Sequence, residues 1–591
     1  MAALPGYRYN HVAICPAAWK GAMELTREWW HGSVAYQIYP KSFMDSNGDG
    51  IGDLRGIIGK LDYLSDLGIN LLWLSPAYPS PLADEGYDIS DYYGVNPLFG
   101  TLADMDELIA EGKKRGIRLI LDLVVNHCSD EHAWFQEALR NPESPYRDFF
   151  YLADSKPDGT APTNWRSYFG GSAWEPFGDT GKMYLHLFHK KQPDLNWENP
   201  ALRAEVRRNV EWWLDRGVAG FRVDAILNIK KALPFRDYPA DGPDGLCDPG
   251  LMLAEAKGIG AFLGELKDKV FAPRHAFTVG EVFNISPERL GEWIGPDGYF
   301  SSIFDFSGAS FRGDLPWHKR PKISAEDYKA CIMDAQEAAG LAFFYSNIIE
   351  NHDEPRGVNY YLPEGEITDA GKKMLAGLYF LLRGVPFIYQ GQELGMENAL
   401  LNTMEEVRDC ATINCYHVAL EEGLSEEEAM DGIRFLSRDN ARTPVQWDDT
   451  ANAGFSTGDP WIGVNPNYGK INAATQIGDP ESVLSFYKRL ITLRKDPEHI
   501  DTWVYGKTVP YRREQENLIA YRRVGQKTFL VLGNLQGDPQ DMPLPAGAWS
   551  VLLSNMAVAE WLKGNIRLEA FQLVVLESVE NSLWRLPKSQ E

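Results

Sequence analysis

The sequence predicts an α/β chain built on a (β/α)8 TIM barrel, with a loop-rich domain inserted after strand 3 and an antiparallel β-sandwich at the C-terminal end. Three observations carry this. Eight apolar, strand-like runs alternate with longer helical patterns between residues 34 and 500. The alternation breaks once, over residues 128–198, which are rich in Trp, Phe, Tyr, Pro, Gly and Asn. Beyond residue 500 the pattern changes to short runs of period two.

The eight runs are VAYQIYP (34–40), INLLWLSP (69–76), RLILDLVVNH (118–127), GFRVDAI (220–226), AFTVGEV (276–282), SSIFDF (301–306), AFFYSNII (342–349) and VPFIYQG (385–391). Stretches such as TLADMDELIAEGKKRG and ALRAEVRRNVEWWLDRG lie between them, apolar at helical spacing and closed by Gly. Eight βα repeats in one domain favour a closed parallel barrel over an open sheet. The expected organisation is barrel over 22–127 and 199–503, an inserted domain B over 128–198 and a C-terminal domain over 504–591. ENLIAYRRVGQKTFLVLGNL and AFQLVVLES read as antiparallel strands of that last domain. A long loop is expected over about 395–480.

Bulk properties narrow the function. A chain of 591 residues holds more than one domain. Its net charge of −25 argues against nucleic acid or anionic membrane as a partner, since both would repel it. No apolar run approaches the ~20 residues of a membrane span. The first residues show no basic start followed by an apolar core. The six cysteines are scattered, with no Cys-x-x-Cys, which fits free thiols in a reducing compartment. A cytoplasmic location is therefore expected, and nothing implies a protein partner.

Catalytic groups of such a barrel sit at the C-terminal ends of its strands. Those ends carry Asp122, His127, Arg222, Asp224, Glu281, His352 and Asp353. Any one alone reads more readily as a helix cap or a satisfied loop group; seven converging on one mouth do not. Arg222 and Asp224 are two apart on a strand and share a face, so the guanidinium can hold the carboxylate ionised, as a nucleophile requires. Glu281 ends the next strand, where a nearby carboxylate would raise its pKa toward that of a general acid. Asp353 supplies a third carboxylate. The two histidines lack metal-ligand spacing.

With DLVVNH (122–127), QPDLN (192–196), GFRVDAI (220–226), GEV (280–282) and NHD (351–353) in this order, the chain resembles the α-amylase superfamily, glycoside hydrolase family 13. GYDISDY (86–92), SRDNARTPVQWD (437–448) and QGQELGM (390–396) resemble its oligo-1,6-glucosidase, dextran glucosidase and sucrose isomerase branch. The resemblance implies a retaining, exo-acting α-glucosidase that removes terminal glucose from short α-1,6- or α-1,4-linked oligosaccharides. It implies Asp224 as nucleophile, Glu281 as acid/base and Asp353 as transition-state stabiliser. It places Asp122, His127, Arg222 and His352 around the glucose, Tyr87 beneath it and Phe169 at its edge. Asp84 and Arg442 are implied as the pair that grips the terminal hydroxyl and closes the floor.

The loop DSNGDGIGD offers oxygens from Asp45, Asn47, Asp49 and Asp53 and the Ile51 carbonyl around glycines, a set suited to Ca²⁺. It starts like an EF-hand loop but has Gly56 at position twelve, and an Asx-rich turn without metal is the alternative. Three features depart from the branch. Ala225 follows the nucleophile where α-1,6-specific relatives carry Val. Glu354 follows NHD where Gln is usual, and with Glu350 it is expected to bring negative charge to the acceptor side. FRGDLPWHKRP (311–321) stands in place of the arginine-rich loop of sucrose isomerases. A transglucosylase or sucrose isomerase using the same intermediate is the alternative activity. A catalytically dead transporter subunit, which would carry a membrane helix and lack the triad, is a remote third.

Overall fold

Eight parallel strands close into a barrel in the computed structural model, which describes residues 26–579 apart from 243, 314 and 400. Numbered in chain order, the barrel strands are β1 (Ala35–Ile38), β2 (Leu71–Leu74), β3 (Arg118–Leu123), β7 (Gly220–Val223), β8 (Phe277–Gly280), β9 (Ser302–Asp305), β10 (Tyr345–Asn347) and β11 (Val385–Tyr389). Each neighbours the next, and β1 closes on β11. All eight expected runs supply a strand. They are shorter than the apolar runs, yet β3 and β7 still include Asp122 and Arg222. β3 ends at Leu123, and His127 instead forms an isolated bridge with Asp194.

The inserted segment holds a three-stranded antiparallel sheet of β4 (Leu152–Asp154), β5 (Trp174–Pro176) and β6 (Lys182–Leu185), in the order β4-β6-β5. Its core of Trp165, Trp174, Leu185 and Leu187 extends to Ala225, Cys247 and Met252. The insertion is thereby packed against the loop that carries the nucleophile candidate.

The C-terminal domain pairs a six-stranded sheet with a two-stranded one. Its first two strands are β12 (Lys507–Pro510) and β13 (Leu518–Val524). Alternate residues face opposite ways. Leu518, Ala520, Leu530 and Leu532 face Met542, Ile566 and Leu568 of the small sheet. Ile519, Tyr521, Phe529 and Val531 instead join the barrel core.

One expectation is corrected. Residues 395–480 are not a plain loop: they contain helices Cys410–Glu421 and Glu426–Arg434. Asp409 caps the first by accepting from the Ala411 and Thr412 amides, and Ser425 and Glu428 form a capping box on the second. Leu401, Val407, Met430 and Ile433 give the pair its own small core. Among the described residues no helix is long and apolar enough to cross a membrane. Cys128, Cys247, Cys331, Cys410 and Cys415 are free thiols; Cys15 lies outside the described residues.

Candidate active site

Sheet register assembles the charged centre. Asp122 pairs with Arg222 across β3 and β7, and the Glu281 amide bonds the Val223 carbonyl at 2.9 Å. Three strands thus deliver three carboxyls to one guanidinium. Arg222 Nη1 donates to Asp122 Oδ1 at 2.9 Å and to Asp224 Oδ1, and its Nη2 lies 2.8 Å from Glu281 Oε1. Ala225 has φ +42° and ψ +33°, the left-handed conformation. Its amide donates to Glu281 Oε2 at 2.7 Å, so the residue after Asp224 fixes the position of the second carboxyl.

The ionisation of this centre departs from expectation in its cause. Burial is the largest influence on Asp224 and raises it; Arg222 opposes that shift, while Glu281 and Asp122 reinforce it. Burial also raises Glu281, Arg222 again opposes, and Asp353 is the strongest like charge acting on it. Desolvation, rather than like-charge proximity alone, is what raises Glu281. Burial raises all three carboxyls, and the one guanidinium they share opposes the shift at each.

Around this centre lies a cavity lined by Asp84, Tyr87, His127, Phe169, Asp224, Ala225, Glu281, Asp353 and Glu354, among others. Tyr87 stacks on His352 with ring centroids 5.3 Å apart and planes within 9°. Its hydroxyl also donates to Asp122 Oδ2 at 3.1 Å. Gln37 Nε2 bonds His352 Nδ1 at 2.8 Å, and His127 Nε2 bonds the Tyr87 carbonyl at 3.1 Å. Burial lowers both histidines to about 3, so both are neutral at physiological pH. Asp122, Arg222 and His352 form a layer behind the cavity wall and orient Tyr87, Asp224 and Glu281.

Asp353 accepts from Arg438 Nη1 and Arg442 Nη2, each at 3.0 Å, and lies 3.1 Å from His352 Nε2. Although burial alone would raise it, the Arg438 and Arg442 guanidiniums hold it well below the usual carboxylate range. The expected Asp84–Arg442 pair is not formed. Arg442 turns to Asp353 and the His352 carbonyl, while Arg438 is the cation beside Asp84, at 3.6 Å. Arg438, on the cavity wall, lies four residues after the end of helix Glu426–Arg434; Arg442 lies one further turn along, behind it. Gln192 also bonds Asp84, at 2.9 Å, and burial brings Asp84 to about 7.

Sequence reasoning missed Arg438, Gln192, Tyr168, Phe188, Trp317, Arg320, Ala411 and Leu436, all at or beside the cavity. Arg438, Gln192, Trp317 and Arg320 stood inside motifs already quoted, while Tyr168, Phe188, Ala411 and Leu436 belong to none of them. Glu350 does not charge the acceptor side: it is buried against Arg356 at 3.0 Å and accepts the Gly357 amide. Glu354 does line the cavity, beside Trp317 and Arg320.

In the loop 45–53, Asp45 and Asp53 are buried while Asn47 and Asp49 are exposed. Asp45 accepts the amides of Asn47, Gly48 and Gly50, and Asp53 accepts those of Ser46 and Gly56. The Ile51 amide bonds Asp49. Among the described residues no group of three or more His, Cys, Asp or Glu side chains is assembled as a metal cluster.

The α-amylase catalytic-domain model matches residues 37–502. The chain belongs to the α-amylase family. Within this family it is 42% identical over 548 residues to a glucan 1,6-α-glucosidase of Streptococcus pneumoniae, covering 92% of this chain and 98% of that one. It is 42% identical over 564 residues to an oligo-1,6-glucosidase of Parageobacillus thermoglucosidasius, covering 93% and 98%. Among solved structures, the trehalulose synthase of Pseudomonas mesoacidophila superposes with a TM-score of 0.87 at 38% identity, covering 93% of this chain and 100% of that one. This α-amylase-family chain is a glycoside hydrolase, as its family and relatives indicate.

Proposed function

We propose that the enzyme is a retaining, exo-acting α-glucosidase that releases terminal glucose from short α-linked oligosaccharides. The observation that carries this is the Asp224–Glu281 pair bridged by two nitrogens of one guanidinium. Such bridging favours the short carboxyl spacing of about 5–5.5 Å of retaining enzymes over the wider spacing that admits a water. Asp224 attacks the anomeric carbon as Glu281 protonates the leaving oxygen; Glu281 then deprotonates the water that opens the β-glucosyl-enzyme. Asp353, held ionised, stabilises the positive charge that develops on the sugar ring. Asp84 and Arg438 on the cavity wall, with Gln192 bonded to Asp84, supply partners for terminal sugar hydroxyls, which supports exo action. The Asp224→Asn variant should lose several orders of magnitude in kcat while remaining folded, because a neutral amide does not attack. Initial release of β-glucose, followed by NMR, would overturn the retaining assignment.

The trehalulose synthase likeness keeps sucrose isomerisation as a second reading. Products from sucrose separate the two, since a hydrolase gives glucose and fructose. We also propose that Asp45, Asn47, Asp49, Asp53 and the Ile51 carbonyl hold a structural Ca²⁺; an all-oxygen set on alternate residues, with Gly48 and Gly50 in left-handed turns, supports it. A cytoplasmic setting is proposed on the free thiols.

A further inference from the structure

At the floor of the barrel, opposite the catalytic mouth, three arginines lie buried with no acidic partner. Arg383 precedes β11, Arg494 sits in the last turn of helix Val483–Lys495, and Arg523 belongs to β13 of the C-terminal domain. Arg494 and Arg523 are 0% exposed and Arg383 2%. Arg494 and Arg383 both act on Arg523, Tyr521 acts on Arg494 and Arg523, and Tyr505 acts on Arg383; no carboxylate is among these neighbours.

Backbone carbonyls meet only part of their demand. Arg523 donates to the carbonyls of Leu381 at 2.6 Å and Gly506 at 2.9 Å. Arg383 donates to those of Leu341 at 2.8 Å and Phe343, and Arg494 to that of Gly384. Several of these carbonyls lie at or just beyond the carboxyl ends of helices Ala325–Ala339, Asp369–Phe380 and Ile500–Tyr505. A helix end contributes about half a negative charge, so three ends against three guanidinium groups leave a residue of about +1.5. Arg494 Nε and Nη1, Arg523 Nε and Arg383 Nε find no partner at all. Burying a cation so incompletely paired is costly, and a native fold that keeps it there has a reason to.

We propose that Arg494, flanked by Arg383 and Arg523, holds one monatomic halide, chloride in the cell, at the seam between the barrel floor and the C-terminal domain. The residual charge calls for one monovalent anion. The unpartnered atoms are all donors, which suits an ion that only accepts. Arg383 and Arg494 come from the barrel and Arg523 from the other domain, so the ion fastens the two together. It lies at the N-terminal ends of the strands and takes no part in glycoside cleavage.

The test is thermal unfolding of the whole enzyme at constant ionic strength, exchanging gluconate for chloride or bromide. A saturable rise in Tm of several degrees is expected, because an anion that binds only the folded state stabilises it by mass action. kcat/KM at 25 °C should be unchanged. The Arg494→Met variant should lose the halide-dependent part of the rise. Should that variant fail to fold, wild-type crystals grown in bromide decide: one anomalous peak among the three guanidinium groups supports the site. Ordered water there and a Tm indifferent to halide, or a rise that never saturates and is equal in the variant, overturns it.

Discussion

Substituting Arg222→Lys keeps one positive charge at the centre but removes the fork that spans it. The guanidinium uses Nη1 for Asp122 and Asp224 and reaches Glu281 with Nη2. A single ammonium nitrogen on a shorter reach does not hold all three. Arg222 acts on both Asp224 and Glu281 by lowering them against burial. Loosening it lets both rise. Asp224 must be ionised to attack and Glu281 protonated to donate, so both limbs of the bell-shaped pH profile move to higher pH. The loss of one charge-assisted hydrogen bond, about 1.5–3 kcal/mol, corresponds to a shift of about 1–2 pH units at 1.36 kcal/mol per unit. The assay is kcat/KM for isomaltose or a nitrophenyl α-glucoside between pH 4 and 9, with folding checked by circular dichroism. A folded variant whose limbs stay within a few tenths of a unit would show that Arg222 does not set these ionisations.

Ala225→Val should shift the isomaltose-to-maltose kcat/KM ratio upward by about 10–200-fold, the range that one methylene in a pocket can discriminate; because Ala225 is left-handed, where a β-branched residue is strained, Ala225→Gly serves as the control and should leave the ratio near wild type. An unchanged ratio in the Val variant would move linkage choice to other residues. Chelation should lower Tm, since the loop 45–53 leads into helix Leu54–Gly59 beside β1 and packs on Ser456 of the segment after β11, yet leave the pH profile in place; loss of activity in a folded, chelated enzyme would make the metal catalytic. Glu354 is raised to about 7, chiefly by burial, so it is neutral below that pH and charged above it, and its charge favours the proton on Glu281. Glu354→Gln should therefore bring the alkaline limb of kcat/KM to lower pH; a limb that does not move would uncouple the two carboxyls.

Local pattern alone determined a great deal of this protein. Eight apolar runs with helical spacers, all in one domain, favour a closed parallel barrel whose helices cover the outer face and whose side chains fill the inside. Spacing by two along GFRVDAI determined that Arg222 and Asp224 share a face. The Ser425–Glu428 capping box was not read from the sequence, where the segment passes for a loop when only strand-like and helical apolar runs are counted.

Tertiary structure decided the rest, because each remaining property depends on distances between residues remote in the chain. Whether Arg438 or Arg442 stands beside Asp84 turns on how the helical pair 410–434 packs over the barrel mouth, although both arginines belong to one motif. Glu350 and Glu354 look alike in sequence, yet one is sealed against Arg356 and the other lines the cavity. Arg222 serves three carboxyls rather than one because sheet register brings β3, β7 and β8 side by side. The ionisation of that cluster is set by burial against Arg222, and burial is a property of the packed chain, which no string of residues states.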